Sequence, residues 1–375
     1  MKKNEYTQKM RITSIDALRA FALFGIIMVH AAGGFCIDIT DAVKTPLDSF
    51  LADFVSLFLR GKCASIFSIL FGISFYIILR KPNYPTSKFV WRCFLLFLIG
   101  LLNKFFFKPD ALMIYGLMGM ILAGIRNIKT KNILYVSILC FVLSFFMRVL
   151  SHYLQIVPPG MFTDNFRYEQ GHTLFDIIRF WPISVMWYIE HTIHGNFLVV
   201  LGKFVLGYWI GKMGYVEIMD KRINKNSIVS FGFLFLILLL THQFLRDHSN
   251  LLGLSIDHFV KIATGITGAL LYSTLFIWIY NHVTSLKPLF KYMESYGKLG
   301  LSNYTFQGII LVILLSDIGL GFKYQSITFF LCVAFAFYVI QLIFSHLWLK
   351  KYNNGPLEYL WRCATERKWL PLLVK

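Results

Sequence analysis

Asp16, Arg19 and His30 stand in or beside the first apolar run of the chain. Asp16 and Arg19 are three residues apart, so on a helix they share a face. His30 follows Arg19 by eleven residues, close to three further turns at about 3.6 residues each. All three therefore point into roughly one sector. Ionisable groups are expensive inside a bilayer and default there to a functional role. A neutral imidazole suits proton abstraction near pH 7, so His30 could serve as a base on one polar stripe with Asp16 and Arg19. An interfacial ion pair beside a packed histidine fits the same spacing.

Further polar groups enter other apolar runs. Asn303 and Gln307 are four apart on one face of a late run, where amides either tie helices together or meet a ligand. Tyr304 is one residue off that face and is set aside. Glu358 and Arg362 form an i,i+4 pair in the favoured order, after a Gly355-Pro356 turn. Of the ten histidines, the first eight, His30 to His258, fall toward one side of the membrane in the orientation derived below. Glu190, His191 and His194 form E-H-x-x-H. That spacing permits metal ligation on a helix but lacks the order of a zinc protease, and interfacial histidines are the preferred reading. No metal is assigned. The six cysteines show no C-x-x-C spacing, and most lie in or beside apolar runs, where packing accounts for them.

These residues need helices that cross a membrane to position them. The chain has 375 residues, 57% hydrophobic and only 15% charged, whereas soluble domains run at roughly 45–50% apolar and about 25% charged. This excludes a disordered chain, a secreted disulfide scaffold and a nucleic-acid-binding domain, and leaves an all-α polytopic membrane protein. Windows free of Asp, Glu, Lys and Arg fall at 20–37, 63–79, 93–103, 111–125, 132–147, 226–245, 262–286, 299–316 and 324–349. A tenth candidate, 191–211, is broken only by Lys203. With about 20 residues needed per crossing, the expectation is about ten transmembrane helices. The third starts near Phe89, with Arg92 snorkelling toward the headgroups.

Roughly two-thirds of the 37 Lys and Arg residues fall on the side of the N-terminus, which places both termini in the cytoplasm. The formal charge of +18 thereby acquires a membrane explanation, since basic loops orient the chain and attract anionic lipids. One transmembrane domain, 1–375, is expected, with interfacial helices at 47–62 and 175–190 and a cytoplasmic tail at 350–375.

Four ordered blocks resemble the YeiB-like family of bacterial membrane proteins. They are R-I-T-S-I-D-A-L-R-A-F-A-L-F-G-I (Arg11 to Ile26), G-K-C-A-S-I-F-S-I-L-F-G-I-S-F (Gly61 to Phe75), G-K-L-G-L-S-N-Y-T-F-Q-G (Gly297 to Gly308) and N-G-P-L-E-Y-L-W-R (Asn354 to Arg362). Asp110 and Tyr115 resemble a further D-I-L-x-Y block. Two positions depart from the pattern. His30 stands where the family often carries Asn, and there the chain is more similar to acyltransferase-three proteins. Asn103 stands near a position where the family often has His.

The resemblance extends to transmembrane acyltransferases, including heparan-α-glucosaminide N-acetyltransferase. It implies transfer of an acyl group, acetyl first, from cytoplasmic acyl-CoA to a cell-envelope or extracytoplasmic acceptor such as a sugar, glycan or lipid. The bacterial cytoplasmic membrane is then the location, acyl-CoA is a co-substrate and no cofactor is held permanently. On this reading His30 and Asp16 are catalytic. Arg11, Arg19 and Arg92 are candidates for the CoA phosphates, since guanidinium forks suit phosphate. Asn303, Gln307, Asp110 and Tyr115 are candidates for substrate binding, with the two amides able to donate to the acyl carbonyl. Membrane lipids are partners, and a homo-oligomer stays open. A transporter or flippase for a small anionic or lipidic substrate would use the same polar residues as a binding site, and a non-catalytic membrane role is the third reading.

Overall fold

The computed structural model describes residues 12–33, 45–81, 83–107, 110–154, 181–182, 186, 192–214, 223, 225–247, 251–315, 320 and 326–373. Its elements are α-helices: α1 (Thr13–Ala32), α2 (Pro46–Phe58), α3 (Lys62–Leu79), α4 (Thr86–Asn103), α5 (Leu112–Ala123), α6 (Thr130–Tyr153), α7 (Asn196–Lys212), α8 (Lys225–Asp247), α9 (Leu251–His282), α10 (Lys287–Lys298), α11 (Gly300–Leu315), α12 (Ile327–Lys351) and α13 (Pro356–Glu366). A helix falls on each of the ten apolar runs. Seven stretches are long and apolar enough to cross a bilayer, while α5 is a shorter apolar helix. Among the described residues there is no strand, only a single bridge between Tyr352 and Leu373. The chain is an all-α, multi-pass membrane protein. A helix satisfies its own backbone hydrogen bonds, which hydrocarbon requires.

Several helices start earlier than the charge-free windows. α1 begins at Thr13 and so carries Asp16 and Arg19 within it. α9 begins at Leu251 and includes Asp257, His258 and Lys261. Charged residues near helix ends are tolerated when neighbouring helices supply partners. Within the stretch 47–62, expected as an interfacial helix, the structure places α2, which ends at Phe58 and with α3 forms the apolar stretch Pro46–Leu79. Thr45 Oγ1 accepts the Asp48 N–H at 3.1 Å, and Asp48 Oδ2 accepts the Thr45 N–H at 3.0 Å, a reciprocal cap. The other oxygen of Asp48 accepts the Thr328 N–H at 2.8 Å, which ties α2 to the start of α12. The expected helix at 175–190 lies almost entirely outside the described residues.

Helix α1 is the centre of the bundle, packed by α2, α3, α9, α10, α11 and α12. Its inward residues Ala17, Ala20, Ala22 and Ala31 are fully buried. Lipid tails are as apolar as leucine, so association in a membrane relies on close packing, which small residues permit. Gly72 of α3 and Gly207 of α7 show this directly. A methyl group added at Gly72 would sit 2.1 Å from the Phe204 carbonyl oxygen, and one at Gly207 would sit 2.1 Å from that of Ile69. The opposite surface of the bundle is apolar: Val229, Phe233 and Leu240 of α8 are more than half exposed, as suits a lipid-facing helix.

Candidate functional site

The end of the bundle that carries the α1 N-terminus and α13 holds a cavity of about 190 Å³ between α1, α3, α4, α11 and α13. Arg19, Arg92 and Lys298 line it, together with Ser74, Glu358 and Trp361. Arg19 is half-buried. Its Nη1 bonds Asp16 Oδ1 at 2.8 Å, and its Nη2 donates to Ser74 Oγ at 3.0 Å. A long contact of 3.4 Å reaches the Gly297 carbonyl. Gly297 has to be glycine, because an added methyl would stand 1.8 Å from the Asp16 carbonyl oxygen. The first-helix motif and the late G-K-L-G block are therefore in direct contact.

Arg92 is held differently. Its guanidinium lies 3.9 Å from the centre of the Trp361 ring, and the Trp361 indole donates to the Arg92 carbonyl at 2.8 Å. Its Nε is buried with no hydrogen-bond partner. A stacked guanidinium with an unanswered donor is suited to a planar or tetrahedral anion. Trp361 lies in the C-terminal block, and sequence reasoning did not assign it or Lys298 to the site.

Glu358 departs from the sequence expectation. It does not serve an i,i+4 pair with Arg362, which is exposed. Its Oε1 accepts the Leu301 and Ser302 N–H groups at 2.7 and 3.0 Å, and its other oxygen accepts the Ser302 hydroxyl. Ser302 Oγ in turn accepts the Leu357 N–H at 3.0 Å. The carboxylate thus caps the first turn of α11, where unpaired N–H groups and the helix dipole favour a negative charge. Burial raises the Glu358 pKa above the ordinary carboxylate value, opposed by the Ser302 and Leu301 bonds.

Asn303 and Gln307 sit one and two turns into α11, buried within a network of their own. Asn303 Nδ2 donates to the Tyr296 carbonyl at 3.1 Å and to Ser345 Oγ at 2.9 Å. Gln307 Nε2 donates to the Tyr296 hydroxyl at 2.7 Å, which donates to Gln341 Oε1 at 3.2 Å. Gln341 returns a bond to the Asn303 carbonyl. The two amides tie α10, α11 and α12 and do not line the cavity.

His30 belongs to the opposite end. Eleven residues at about 1.5 Å each place it roughly 16 Å along α1 from Arg19. Its ring packs edge-on against Phe107, with centroids 5.0 Å apart. Phe107 meets Tyr304, which stacks on Phe67 of the cavity wall with centroids 6.4 Å apart. An aromatic column of Phe67, Tyr304 and Phe107 therefore joins the cavity to His30. Tyr304, passed over at the sequence level, stands in its middle, and its hydroxyl accepts the Ala111 N–H at 3.0 Å.

Asp110 is fully buried beside this column. It accepts Asn103 Nδ2 at 3.0 Å and the Leu112 N–H at 3.1 Å, which caps α5. Burial raises its pKa, against the Asn103 bond and the Lys104 charge. Asn103 Oδ1 is buried without a partner. Tyr115 shares a 2.9 Å hydrogen bond with Ser68 and packs on Phe67. Arg11 and the Glu190 and His191 of the E-H-x-x-H motif lie outside the described residues, while His194 bonds Ser151 at 2.8 Å. Among the described residues no group of three His, Cys, Asp or Glu side chains is placed to hold a metal.

A polar cavity at one end of a bundle of apolar helices, with polar residues at the other, defines a multi-pass membrane protein. The family model for the catalytic region of heparan-alpha-glucosaminide N-acetyltransferase matches residues 11–224, more than half of the chain, and the chain belongs to that family. A second model, a protein of unknown function named DUF418, matches residues 210–368. Three bacterial proteins are similar over nearly their whole length. An uncharacterized 39.9 kDa protein in the amylase 3′ region of Bacillus acidopullulyticus is 27% identical over 97% of this chain and 96% of its own. The uncharacterized protein YxaH of Bacillus subtilis (strain 168) is 24% identical, with 97% and 96% covered. The uncharacterized protein YeiB of Escherichia coli (strain K12) is 21% identical, with 97% and 99% covered. The YeiB-like resemblance seen in the four sequence blocks therefore holds over nearly the whole chain.

Proposed function

We propose that the protein is an acyltransferase of the bacterial cytoplasmic membrane, taking an acetyl group from cytoplasmic acetyl-CoA to an acceptor on the far side. The observation that carries this reading is the cavity at the basic end. Arg92 and Lys298 face it with no carboxylate bonded to either among the described residues, as a phosphate-bearing donor requires. The aromatic column toward His30 supports the same reading, since a thioester at the end of a long arm must reach a base far from its phosphates.

In this mechanism the CoA phosphates bind Arg92 and Lys298, with Arg19 beside them and Arg11 a further candidate. The acyl arm follows Phe67 and Tyr304 toward His30, flanked by Tyr115 and Asp110. The acceptor hydroxyl or amine attacks the thioester carbonyl carbon while its proton passes to the His30 imidazole. The carbon–sulfur bond breaks, CoA leaves as thiolate, and the thiolate takes the proton from His30. Asp16 acts through Arg19, holding the guanidinium at the cavity wall. Asn303 and Gln307 support the wall from behind.

The acceptor class, a sugar, glycan or lipid, belongs to this proposal, and so does the cytoplasmic placement of both termini. The test is acetyl-CoA binding and hydrolysis by the purified protein in detergent. Saturable binding with slow thioester hydrolysis is expected; no binding at millimolar acetyl-CoA would sink the reading.

A further inference from the structure

The four helices α6, α7, α8 and α9 carry a second group of ionisable residues that the proposed reaction does not use. Ser144, Arg148 and Ser151 follow one another at four and three residues on α6, so they share one face. That face meets α7: Ser144 is packed by Gly195, and Ser151 bonds His194 at 2.8 Å. On α9, Asp257, His258 and Lys261 lie within one turn. His242 of α8 bonds Asp257 at 2.5 Å. Lys203 stands within α7, in an otherwise charge-free run.

These side chains converge in depth as well as in direction. Arg148 is five residues from the end of α6, while Lys203 and His258 are each seven residues from the start of their helices. At about 1.5 Å per residue all three lie roughly 8–10 Å beneath helix ends that share the same side of the bundle. The charges of Arg148, Lys203 and Lys261 all act on the His258 ring. Only one carboxylate among the described residues, Asp257, joins them, and it is already engaged by His242. His258 Nε2 and Ser144 Oγ are buried with no hydrogen-bond partner. An excess of half-buried positive charge beside buried, orphaned polar atoms is costly in a membrane unless an anion completes it.

We propose that Arg148, Lys203 and His258 form a binding site for a phosphate group on the side of the bundle opposite the donor cavity. A tetrahedral phosphate offers enough acceptor oxygens to meet a guanidinium, an ammonium and an imidazole from three helices at once. Arg148 and His258 lie within three residues of the ends of the apolar stretches Thr130–Ser151 and Ile256–His282, where a bilayer's hydrocarbon would give way to headgroups. Two sources share this chemistry, an anionic phospholipid headgroup and a soluble phosphate ester.

The test uses the purified full-length protein, freed of lipid in a neutral detergent. Native mass spectrometry measures retention of phosphatidylglycerol against phosphatidylcholine, and calorimetry measures binding of glycerol 3-phosphate. Wild type is compared with Lys203→Met, Arg148→Gln and the remote control Lys225→Gln. Preference for phosphatidylglycerol, lost about tenfold or more in Lys203→Met and Arg148→Gln but kept in the control, is the expected result. Retention of the lipid alone identifies a headgroup site, and binding of glycerol 3-phosphate as well identifies a site for soluble phosphate esters. If Lys203→Met fails to fold, Lys203→Arg must keep the binding. Wild type without either preference, or folded variants that bind as wild type does, would overturn the proposal.

Discussion

Glu358 and Ser302, 56 residues apart, are bonded twice: the carboxylate accepts both the backbone N–H and the hydroxyl of Ser302. This contact locks the final helix α13 onto the first turn of α11 and holds Trp361 over Arg92 at the cavity wall. Replacing Glu358 by Ala leaves the Leu301 and Ser302 N–H groups unpaired, at a cost of about 1–3 kcal/mol. Glu358→Ala is expected to lower the melting temperature in detergent, and Glu358→Gln to lower it less. The raised pKa of Glu358 sets the sign of its pH dependence. Between the unfolded and the folded value the folded state binds more protons, so stability falls as pH rises through that window. A series of melting curves should show this slope in wild type and lose it in Glu358→Gln.

Arg92 lines the cavity of about 190 Å³ with a buried Nε that has no hydrogen-bond partner. Arg92→Gln is expected to weaken acetyl-CoA about tenfold or more while the fold is kept. Arg92→Lys should not restore it, because an ammonium cannot both stack on Trp361 and present a planar fork. Isothermal titration with acetyl-CoA reads both variants, and equal affinity in Arg92→Gln would remove Arg92 from the site.

His30 stands about 16 Å along α1 from Arg19, by the same helical rise. His30→Ala is therefore expected to leave acetyl-CoA binding unchanged and to lower the acetyl-transfer or hydrolysis rate by roughly 10² to 10⁴. Loss of binding in parallel with rate would instead give His30 a packing role against Phe107.

Gly297 admits no side chain, since its place is taken by the Asp16 carbonyl. Backbone cannot yield as a side chain can, so Gly297→Ala should destabilise by at least the 1–3 kcal/mol typical of overpacking. The expected readout is a lower melting temperature with loss of acetyl-CoA binding. Gly33→Ala, where an added methyl meets only ordinary van der Waals contacts, serves as the tolerated comparison.

From the basic loops, both termini are expected in the cytoplasm. A reporter active only in the cytoplasm, fused after Lys375, should be active, and one that requires export should be silent. The reverse pattern in a well-expressed fusion would invert the orientation and with it the side from which acyl-CoA enters.

The apolar runs were legible in the sequence, each one lying on a helix, because hydrocarbon demands a long apolar segment with its backbone bonded within itself. Even the run broken by Lys203 lies on a helix, α7. The Asp16–Arg19 pair was legible for the same local reason: three residues on a helix fix a shared face. The family resemblance was carried by four blocks, but not what brings those blocks together. Only the tertiary structure placed Arg19, Arg92, Lys298 and Trp361 around one cavity, turned Glu358 away from Arg362 to cap α11, and drew Asn303 and Gln307 into a tie among helices. It also separated His30 from Arg19, because residues in one sector of a helix are still distant along its axis. Helix neighbours in a membrane are chosen by close contacts such as Gly72 on Gly207 and Gly297 on Asp16. Those contacts depend on shape between residues far apart in the chain, which hydropathy and local spacing do not record.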